Sequence, residues 1–313
     1  MKIVIASASP DELNSNAYLL DLIANEARFL PAVTPIRCRH TDLASVVRDV
    51  GQCVVIVAGS LMGTGSALHS ARAVSESAKS PMVYWSWDDP YELDVNRTCS
   101  SLFDAVFTND EHSALFYLTP ERTHHLPLGA SAEAHCRPVT SARPMWDWLL
   151  VGQGFGRRRV IAEALTRHAA DLVGLVSGGG WNGAAVHSLV PGPISNPSLS
   201  DLYNRSGCVL SVGRELMLAN ENFEVTAEAV GPRVYEVALA GAPQLLIPVV
   251  RPAEEERLLA TAVVGPDDEV IEAVRNILCD RLAVLDRCRD AQRLVLDRHL
   301  YRHRIAKIID TVA

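Results

Sequence analysis

The chain has 313 residues, of which 48% are hydrophobic and 21% charged, so it can form one large domain or two domains of ordinary size. The formal net charge of −8 disfavours a protein that wraps nucleic acid, although a local basic patch is compatible with it. The seven cysteines form no close C-x-x-C pair, which argues against a disulfide framework and a zinc ribbon.

Short apolar runs rich in β-branched residues alternate with longer amphipathic segments through the first half of the chain. Strands are predicted to begin at Lys2, Val33, Cys53, Met82, Ala105 and His124. Helices are predicted over residues 17–29, 42–50, 67–79 and 111–118. This alternation is typical of parallel βαβ units and predicts a doubly wound α/β sheet.

A stretch without apolar periodicity, residues 137–144, precedes a second series of the same kind. Strands are predicted to begin at Trp148, Leu172, Gly207 and Gln244, with helices over 157–168, 199–205 and 228–240. After residue 266 the pattern is helical, and it continues through 281–309. We expect two Rossmann-like domains that face a cleft, over residues 1–143 and 144–313, with terminal helices able to pack back on the first.

The N-terminus carries no pattern of a signal peptide. The apolar run after Met1 and Lys2 ends at Ser9 and Pro10, and no later apolar run is long enough to span a bilayer without charges. A soluble, cytoplasmic protein is therefore expected.

The loops that follow the strands are the places to look for chemistry, because ligands of doubly wound sheets bind outside the carboxyl ends of the strands. The segment LLVGQGFGRRR, residues 149–159, leads from a strand through three glycines into a helix that begins with three arginines. Amide groups at a helix N-terminus and arginine side chains both attract phosphate. A diphosphate site is the functional interpretation, and a solvated arginine run is the alternative.

The same glycines do not fit the dinucleotide fingerprint of dehydrogenases. That fingerprint is G-x-G-x-x-G with an acidic residue at the end of the next strand. Here Gly156 comes one position early, and Asp171 precedes the next predicted strand. The pattern disfavours an oxidoreductase.

Two groups of carboxylates are candidates for catalysis or sugar binding. Glu228 and Glu236 are separated by seven residues near a helix start, so one can face a sugar and the other a ribose diol; solvated helix carboxylates are the alternative. Asp88 and Asp89 follow a strand that contains tryptophan, and Asp110 follows the next strand. Such carboxylates suit a general base or a clamp on hydroxyl groups, with helix capping as the alternative. The histidines lack metal-ligand spacing, so no metal is predicted.

Seven strings occur in a fixed order between residues 81 and 309: PMVYWSWDDPYE, SLFDAVFTNDEHSALFY, LPLGAS, LLVGQGFGRR, VLSVGRE, PRVYEVALAGAPQLL and RHLYRHRIAKII. As an ordered set they resemble the CgeB-type glycosyltransferases, a group named for a spore-maturation protein. The first eighty residues match only as a Rossmann half. The loop over residues 7–16 replaces the glycine-rich first loop of that family.

The resemblance implies a GT-B fold and a nucleotide-sugar donor, a UDP-sugar by default, held by the C-terminal domain without an essential metal. The N-terminal domain would receive the acceptor. By position, the resemblance places Gly152, Gly154, Gly156, Arg157, Arg158 and Arg214 at the diphosphate, Gly180 and Trp181 beside the base or sugar, and Arg233 and Glu236 at the donor, with Glu236 on the ribose.

The spacing of Glu228 and Glu236 resembles the E-x7-E pattern of retaining enzymes and slightly favours retention, with Glu228 as the catalytic carboxylate. In an inverting enzyme the base would be Asp88, Asp89 or Asp110.

Candidate acceptor contacts are Asp110, Ser15 and Asn16. The sugar, hexose or pentose, and the acceptor are not identified. Two alternatives stay open: a non-catalytic nucleotide- or sugar-binding protein, and an enzyme that glycosylates modified bases in DNA, which the net charge disfavours.

Overall fold

A computed structural model describes residues 1–10, 18–62, 66–154, 156–192, 194–215, 218–265 and 269–312. Its contacts divide the chain into two compact units. Unit 1 comprises Met1–Leu128, Met217–Ala229 and Leu300–Ala313, and unit 2 comprises Gly129–Leu216 and Val230–His299. Two segments of the second half of the chain therefore belong to the first unit.

Unit 1 is built on a six-stranded parallel sheet in the order β2-β1-β3-β4-β5-β6. The strands are β1 (Lys2–Ser7), β2 (Thr34–Cys38), β3 (Val54–Ala58), β4 (Met82–Ser86), β5 (Ala105–Thr108) and β6 (Thr123–His125). Its helices in this part of the chain are α1 (Tyr18–Ala27), α2 (Leu43–Val50), α3 (Ala67–Ser77) and α4 (Leu93–Cys99), with 3₁₀ turns at His40–Asp42, Ser100–Leu102, His112–Phe116 and Pro120–Arg122.

Unit 2 repeats the architecture with a parallel sheet in the order β12-β11-β10-β7-β8-β9. The strands are β7 (Trp148–Val151), β8 (Gly174–Gly178), β9 (Leu189–Pro191), β10 (Val209–Val212), β11 (Gln244–Ile247) and β12 (Ala262–Val263). The helices are α5 (Ala132–His135), α6 (Arg157–His168), α7 (Asn196–Asn204), α8 (Pro232–Leu239), α9 (Glu254–Arg257), α10 (Val270–Cys279) and α11 (Arg281–Arg298).

The central strands are buried on both faces, which explains their nearly continuous hydrophobic sequences. All five residues of β3, VVIVA, are buried, as are all five of β4. In unit 2 alternate residues of β7 enter two different cores: Trp148 and Leu150 pack with α6, whereas Leu149 and Val151 pack with α7 and α8. The chain thus forms the doubly wound α/β fold that its sequence predicts.

Helix α12 (Tyr301–Val312) completes unit 1 by packing against α1. Arg302 Nε lies 3.1 Å from Oε2 of Glu26, whose side chain is fully buried. Removal of one partner of such a pair leaves a buried charge, which is strongly destabilising. The pair therefore ties the C-terminal segment to the first helix of the chain.

Several predicted helices differ from the structure. The helix expected over 228–240 begins at Pro232, because Gly231 has an extended N-cap conformation and proline fits the first turn. The expected helix over 111–118 is only a 3₁₀ turn. The C-terminal helical pattern is broken at Asp280 and at His299 into the three helices α10, α11 and α12. The sequence analysis does not predict the short elements β9, β12, α4, α5 and α9.

No helix in the described ranges is both long and apolar enough to cross a membrane.

Candidate functional site

A glycine turn follows β7, the strand at which the sheet of unit 2 reverses its strand order. β7 pairs with β8 on one side and with β10 on the other, and such a switch point is where open α/β sheets bind ligands. Gly152 has a φ of +128°, which favours glycine. A β-carbon at Gly154 would lie 2.4 Å from Cδ2 of Trp181. Close packing thus requires glycine at this position.

Trp181 lies against the turn and fixes its backbone. The side chain is only 2% exposed, and its Nε1 donates a hydrogen bond of 2.9 Å to the carbonyl of Gly152. The amide of Gly154 donates to the carbonyl of Gly179 at 2.9 Å. Gly180, with a φ of +75°, lies in the same loop. The structure therefore brings together Gly152, Gly154, Gly180 and Trp181, with Trp181 in the core of unit 2.

Two arginines converge on Gly152. Nη1 of Arg158 lies 2.9 Å from the position that a β-carbon of Gly152 would take, and the Nη atoms of Arg233 lie 3.5 and 3.6 Å from it. Arg158 also donates to the carbonyl of Val212, at the end of β10. Gly156, with a φ of +51°, is the N-cap of α6, so the first amides of that helix begin beside this pair. Cationic groups and free helix amides together favour an anion.

Arg157 does not point to this turn, although the sequence predicts it at the diphosphate. Its guanidinium donates to the carbonyls of Pro248 and Gly265, at 2.9 and 2.8 Å, beyond β11 and β12. Arg214 follows β10 and is half-buried. Of the predicted arginines, Arg158 and Arg233 therefore form the pair at the first glycine.

A buried polar cluster surrounds Glu236 on α8. Glu236 is 3% exposed, and its Oε1 lies 3.9 Å from Nε2 of the fully buried His135. The amide of Ser131 donates to Nδ1 of His135, so a neutral His135 carries its proton on Nε2, towards Glu236. Nε of Arg233 donates to the hydroxyl of Tyr203 at 3.3 Å. The cluster thus links Glu236 to Arg233 through neighbouring side chains.

Tyr203 stays protonated in this cluster. Burial raises the pKa of Tyr203 above its ordinary value, and the nearby Arg233 opposes the shift while Glu236 adds to it. Tyr203 therefore keeps its hydroxyl proton in the neighbourhood of Glu236. Oε1 of Glu236 has no hydrogen-bond partner among the residues that the structure describes. A buried acceptor without a partner is unusual and suits a ligand hydroxyl.

Asp89, a predicted catalytic residue, is enclosed in unit 1. It is 1% exposed. Oδ2 accepts hydrogen bonds from the hydroxyls of Thr108 and Tyr117, both at 2.6 Å, and Oδ1 accepts one from Asn96 at 2.8 Å. Burial raises the pKa of Asp89, and these donors oppose the shift. The carboxylate joins the ends of β4 and β5 to α4, an arrangement typical of a structural role.

Both carboxylate oxygens of Asp110 also accept hydrogen bonds within unit 1. Oδ1 accepts from the amide and the hydroxyl of Ser113, at 2.9 and 2.8 Å. Oδ2 accepts from the amides of Glu228 and Ala229, at 2.9 and 3.0 Å. The side chain is fully buried. Asp110 therefore fastens the segment that carries Glu228 rather than presenting a free carboxylate.

The remaining predicted residues differ in accessibility. The side chain of Glu228 is exposed, and Asp88 is half-buried. Ser15 and Asn16 lie outside the described residues. Within the described ranges, no cluster of three or more histidine, cysteine, aspartate or glutamate side chains is arranged to hold a metal ion.

Sequence reasoning missed the side chains that build these clusters. His135 and Tyr203 are contributed by α5 and α7, Asn96 and Thr108 by α4 and β5, and Tyr117 follows the 3₁₀ turn His112–Phe116. None of them stands in a recognisable motif beside its partner. Their roles follow only from the packing of elements that are distant in sequence.

Comparison with known proteins gives a family match for the second half of the chain. Residues 157–310 match the model of the family Glyco_trans_1_2, described as glycosyl transferase-like. The matched range includes Arg158, Arg233 and Glu236. No curated protein sequence matches the chain significantly.

Solved structures match the whole chain. An alpha-glucosyltransferase in complex with UDP and a 13-mer DNA has a TM-score of 0.70 at 9% identity, with 100% of this chain and 99% of that chain covered. The apo structure of OtsA has a TM-score of 0.61 at 11% identity, covering 99% and 98%. The chain has the GT-B fold. The family match covers slightly less than half of the chain, so membership of a glycosyltransferase family, and of the CgeB-type subgroup within it, stays a prediction.

The fold by itself does not determine the reaction. A UDP-GlcNAc 2-epimerase from Neisseria meningitidis bound to UDP-GlcNAc also matches, with a TM-score of 0.56 at 13% identity over 100% of this chain and 99% of that chain. Proteins with transferase and epimerase names thus share the GT-B architecture of this chain. A proposal for function must therefore rest on the residues of the site.

Proposed function

We propose that this protein is a glycosyltransferase that takes its sugar from a UDP-sugar bound by unit 2. The observation that carries the proposal is the convergence of Arg158 and Arg233 on Gly152, at the N-terminus of α6 and the switch point of the sheet. The glycosyl transferase-like family match covers both arginines. Structural neighbours bound to UDP or to a UDP-sugar make UDP the first base to test.

The diphosphate is proposed to bind at the Gly152 turn. The two arginine side chains supply charge and forked hydrogen bonds, and α6 supplies free amides and the positive end of its dipole. When the sugar leaves, negative charge develops on the diphosphate, and fixed donors stabilise that charge without reorganisation. We therefore propose that transfer needs no metal ion.

The ribose is proposed to bind at Glu236. Arg233 and Glu236 are three residues apart on α8, so they share a face of the helix. Oε1 of Glu236 is a buried acceptor without a partner among the described residues, and a ribose hydroxyl can supply the missing hydrogen bond. Tyr203 and His135 then act as positioning residues for Glu236.

Retention of the anomeric configuration is the proposed stereochemical course. Inversion needs an accessible general base. Asp89 and Asp110 are enclosed and use both carboxylate oxygens in hydrogen bonds, so of the three predicted bases the half-buried Asp88 is the one that could serve an inverting reaction. Glu228 remains as an exposed carboxylate at the E-x7-E spacing. Proton NMR of the first product formed from an α-linked donor distinguishes the two outcomes, since retention gives an α-linked product.

The proposal is tested by measuring UDP release from a panel of UDP-sugars in EDTA, with mass spectrometry of the sugar product. Wild type is expected to release UDP from one donor. Arg233→Ala should reduce that release at least about tenfold, because a charged hydrogen bond is worth about 1.5–3 kcal/mol. The matched control is Arg159→Ala, since Arg159 bonds Glu163 and the carbonyl of Asn182 instead of the Gly152 turn.

Other outcomes would replace the proposal. A sugar with an altered configuration, still linked to UDP, would favour an epimerase. Binding of UDP-sugars without release of UDP, with or without candidate acceptors, would favour the non-catalytic binding protein. Equal loss in both arginine variants would show that the Gly152 turn is not the diphosphate site.

A modified base in DNA is the second candidate acceptor, because three of the neighbours with TM-scores of 0.68–0.70 are alpha-glucosyltransferase complexes with DNA. The net charge of −8 opposes this acceptor. Binding to phosphates is salt-dependent, so a DNA enzyme should be retained on duplex DNA at low salt and released as salt rises. If the protein does not bind duplex DNA at low salt, a modified DNA base is excluded as the acceptor.

A further inference from the structure

A second cleft of unit 2, about 1000 Å³ in volume, lies beyond the ends of β11 and β12 and beside α9 and α11. Its size is at the upper end of the range for small-molecule sites. Four arginines line it: Arg157, Arg251, Arg257 and Arg287. The one carboxylate in the described lining is Asp290, which is paired with Arg293 at 3.2 Å. The described part of the lining therefore carries a net positive charge.

Two of these arginines donate hydrogen bonds to backbone carbonyls, and a third has a buried nitrogen for which the described residues offer no acceptor. Nη1 of Arg287 donates to the carbonyl of Thr261 at 2.9 Å, and Arg157 donates to Pro248 and Gly265. Nε of Arg257 is buried and has no hydrogen-bond partner among the described residues. A buried cationic donor without a partner carries a large desolvation cost, which an anionic ligand removes.

The same cleft exposes apolar side chains. Leu258 is 62% exposed, Val249 38% and Val263 37%, and all three line the cleft. Exposed apolar groups that adjoin each other mark binding sites more often than ordinary surface. A fully hydrated anion would leave these side chains in water. An anion with an aliphatic body would cover them.

The cleft is distinct from the proposed donor site. Arg158 and Arg233 lie at Gly152, after β7, whereas the cleft follows β11 and β12, and β10 lies between β7 and this pair of strands in the sheet order. Arg157, which neighbours Arg158 in sequence, turns away from Gly152 and into the cleft lining. The arginines at Gly152 and the arginines that line the cleft are thus different residues.

We propose that this cleft is a second binding site, for an amphiphilic anion with a phosphate or carboxylate head and an aliphatic chain. The head binds the free Nε of Arg257 and the neighbouring guanidinium groups, and the chain lies on Leu258, Val249 and Val263. This second site is not part of the proposed transfer reaction, and neither proposal depends on the other. The ligand is either a monomeric acid from solution or a lipid of the same head chemistry in a bilayer.

The test is isothermal titration of the full chain with monododecyl phosphate below its micelle concentration. One molecule should bind per chain, and saturating UDP should not displace it. Inorganic phosphate and dodecyl maltoside, which carry the head or the chain alone, should bind more weakly. Flotation with phosphatidylcholine vesicles, with and without phosphatidic acid, identifies the bilayer source if only the anionic vesicles retain the protein.

Variants make the test specific. Arg257→Ala should weaken the affinity about tenfold, the effect expected for one charged hydrogen bond. Leu258→Ser changes an exposed side chain, so it should fold normally and weaken the affinity for monododecyl phosphate but not for inorganic phosphate. The control is Arg289→Ala on α11, since Arg289 pairs with Asp286 and does not line the cleft. Unchanged affinity in Arg257→Ala, displacement by UDP, or no binding of any probe would overturn the proposal.

Discussion

Asp89 shows how burial changes what a carboxylate does. The sequence places it beside Asp88 after a strand, which suits a catalytic base, yet it accepts three side-chain hydrogen bonds and is closed off from solvent. Glu228 is exposed and Asp88 is half-buried, so both differ from Asp89 in accessibility. Environment, rather than residue type, separates the enclosed carboxylates from the accessible ones here.

The raised pKa of Asp89 predicts a pH dependence of stability. The folded chain holds the Asp89 proton more tightly than the unfolded chain, whose pKa is near the ordinary 3.8. The stability that this proton contributes is present below pH 3.8 and is lost as pH rises through the folded pKa. The difference in melting temperature between wild type and Asp89→Asn should therefore fall as pH rises over that window. A difference that grows with pH would contradict the assigned direction.

Gly154 gives a second test at the residue scale. A β-carbon there would meet the ring of Trp181 at 2.4 Å, so Gly154→Ala must displace either the turn or the tryptophan. We expect a loss of about 1–3 kcal/mol in stability and a weaker affinity for UDP. Thermal unfolding and UDP titration measure the two effects.

The control for Gly154→Ala is Gly265→Ala, because no atom of the described residues lies within 4 Å of a β-carbon added there. It should change neither the melting temperature nor UDP affinity appreciably. If Gly154→Ala behaved like this control, Trp181 would not hold the turn in the way described.

At the scale of elements, the segment over residues 218–229 is fastened to unit 1 by two aspartates. Asp110 accepts the amides of Glu228 and Ala229, and Asp94 accepts the amides of Glu221 and Asn222. Each carboxylate satisfies two backbone donors that would otherwise need other partners. The segment that carries Glu228 is thus positioned through its backbone.

Asp110→Ala should release this segment locally and lower stability by about 2–3 kcal/mol, because buried donors lose a charged acceptor. Hydrogen exchange should speed up at the amides of Glu228 and Ala229. In Asp94→Ala the faster exchange should instead appear at Glu221 and Asn222. Unchanged exchange at 228 and 229 in the Asp110 variant would show that other contacts hold the segment.

The sequence predicts the architecture well where its patterns are local. Runs such as VVIVA give the strands, and the glycines after β7 give the turn at the switch point. Helix α8 begins at Pro232 instead of the predicted residue 228, because Gly231 has an extended N-cap conformation and proline fits the first turn. The orientation of Arg157 depends on the carbonyls of Pro248 and Gly265, about a hundred residues away, which no local pattern reveals.

At the scale of the whole molecule, each unit has its own six-stranded sheet and core, but neither is a single continuous segment of chain. Unit 1 is completed by residues 217–229 and 300–313. Those residues include Glu228, whereas Glu236, eight positions later, belongs to unit 2. The two glutamates of the E-x7-E spacing therefore stand in different units, each with its own hydrogen-bonded environment.

The central claim, that unit 2 holds a nucleotide diphosphate at Gly152 and its ribose at Glu236, is tested most directly by titrating the full chain with UDP in EDTA. We predict metal-independent binding that Glu236→Gln weakens about tenfold, since it removes the charge from the acceptor for the ribose hydroxyl. The Arg159→Ala control should bind like wild type. Absence of UDP binding by the folded wild-type protein, or affinity unaffected by Glu236→Gln, would contradict the claim.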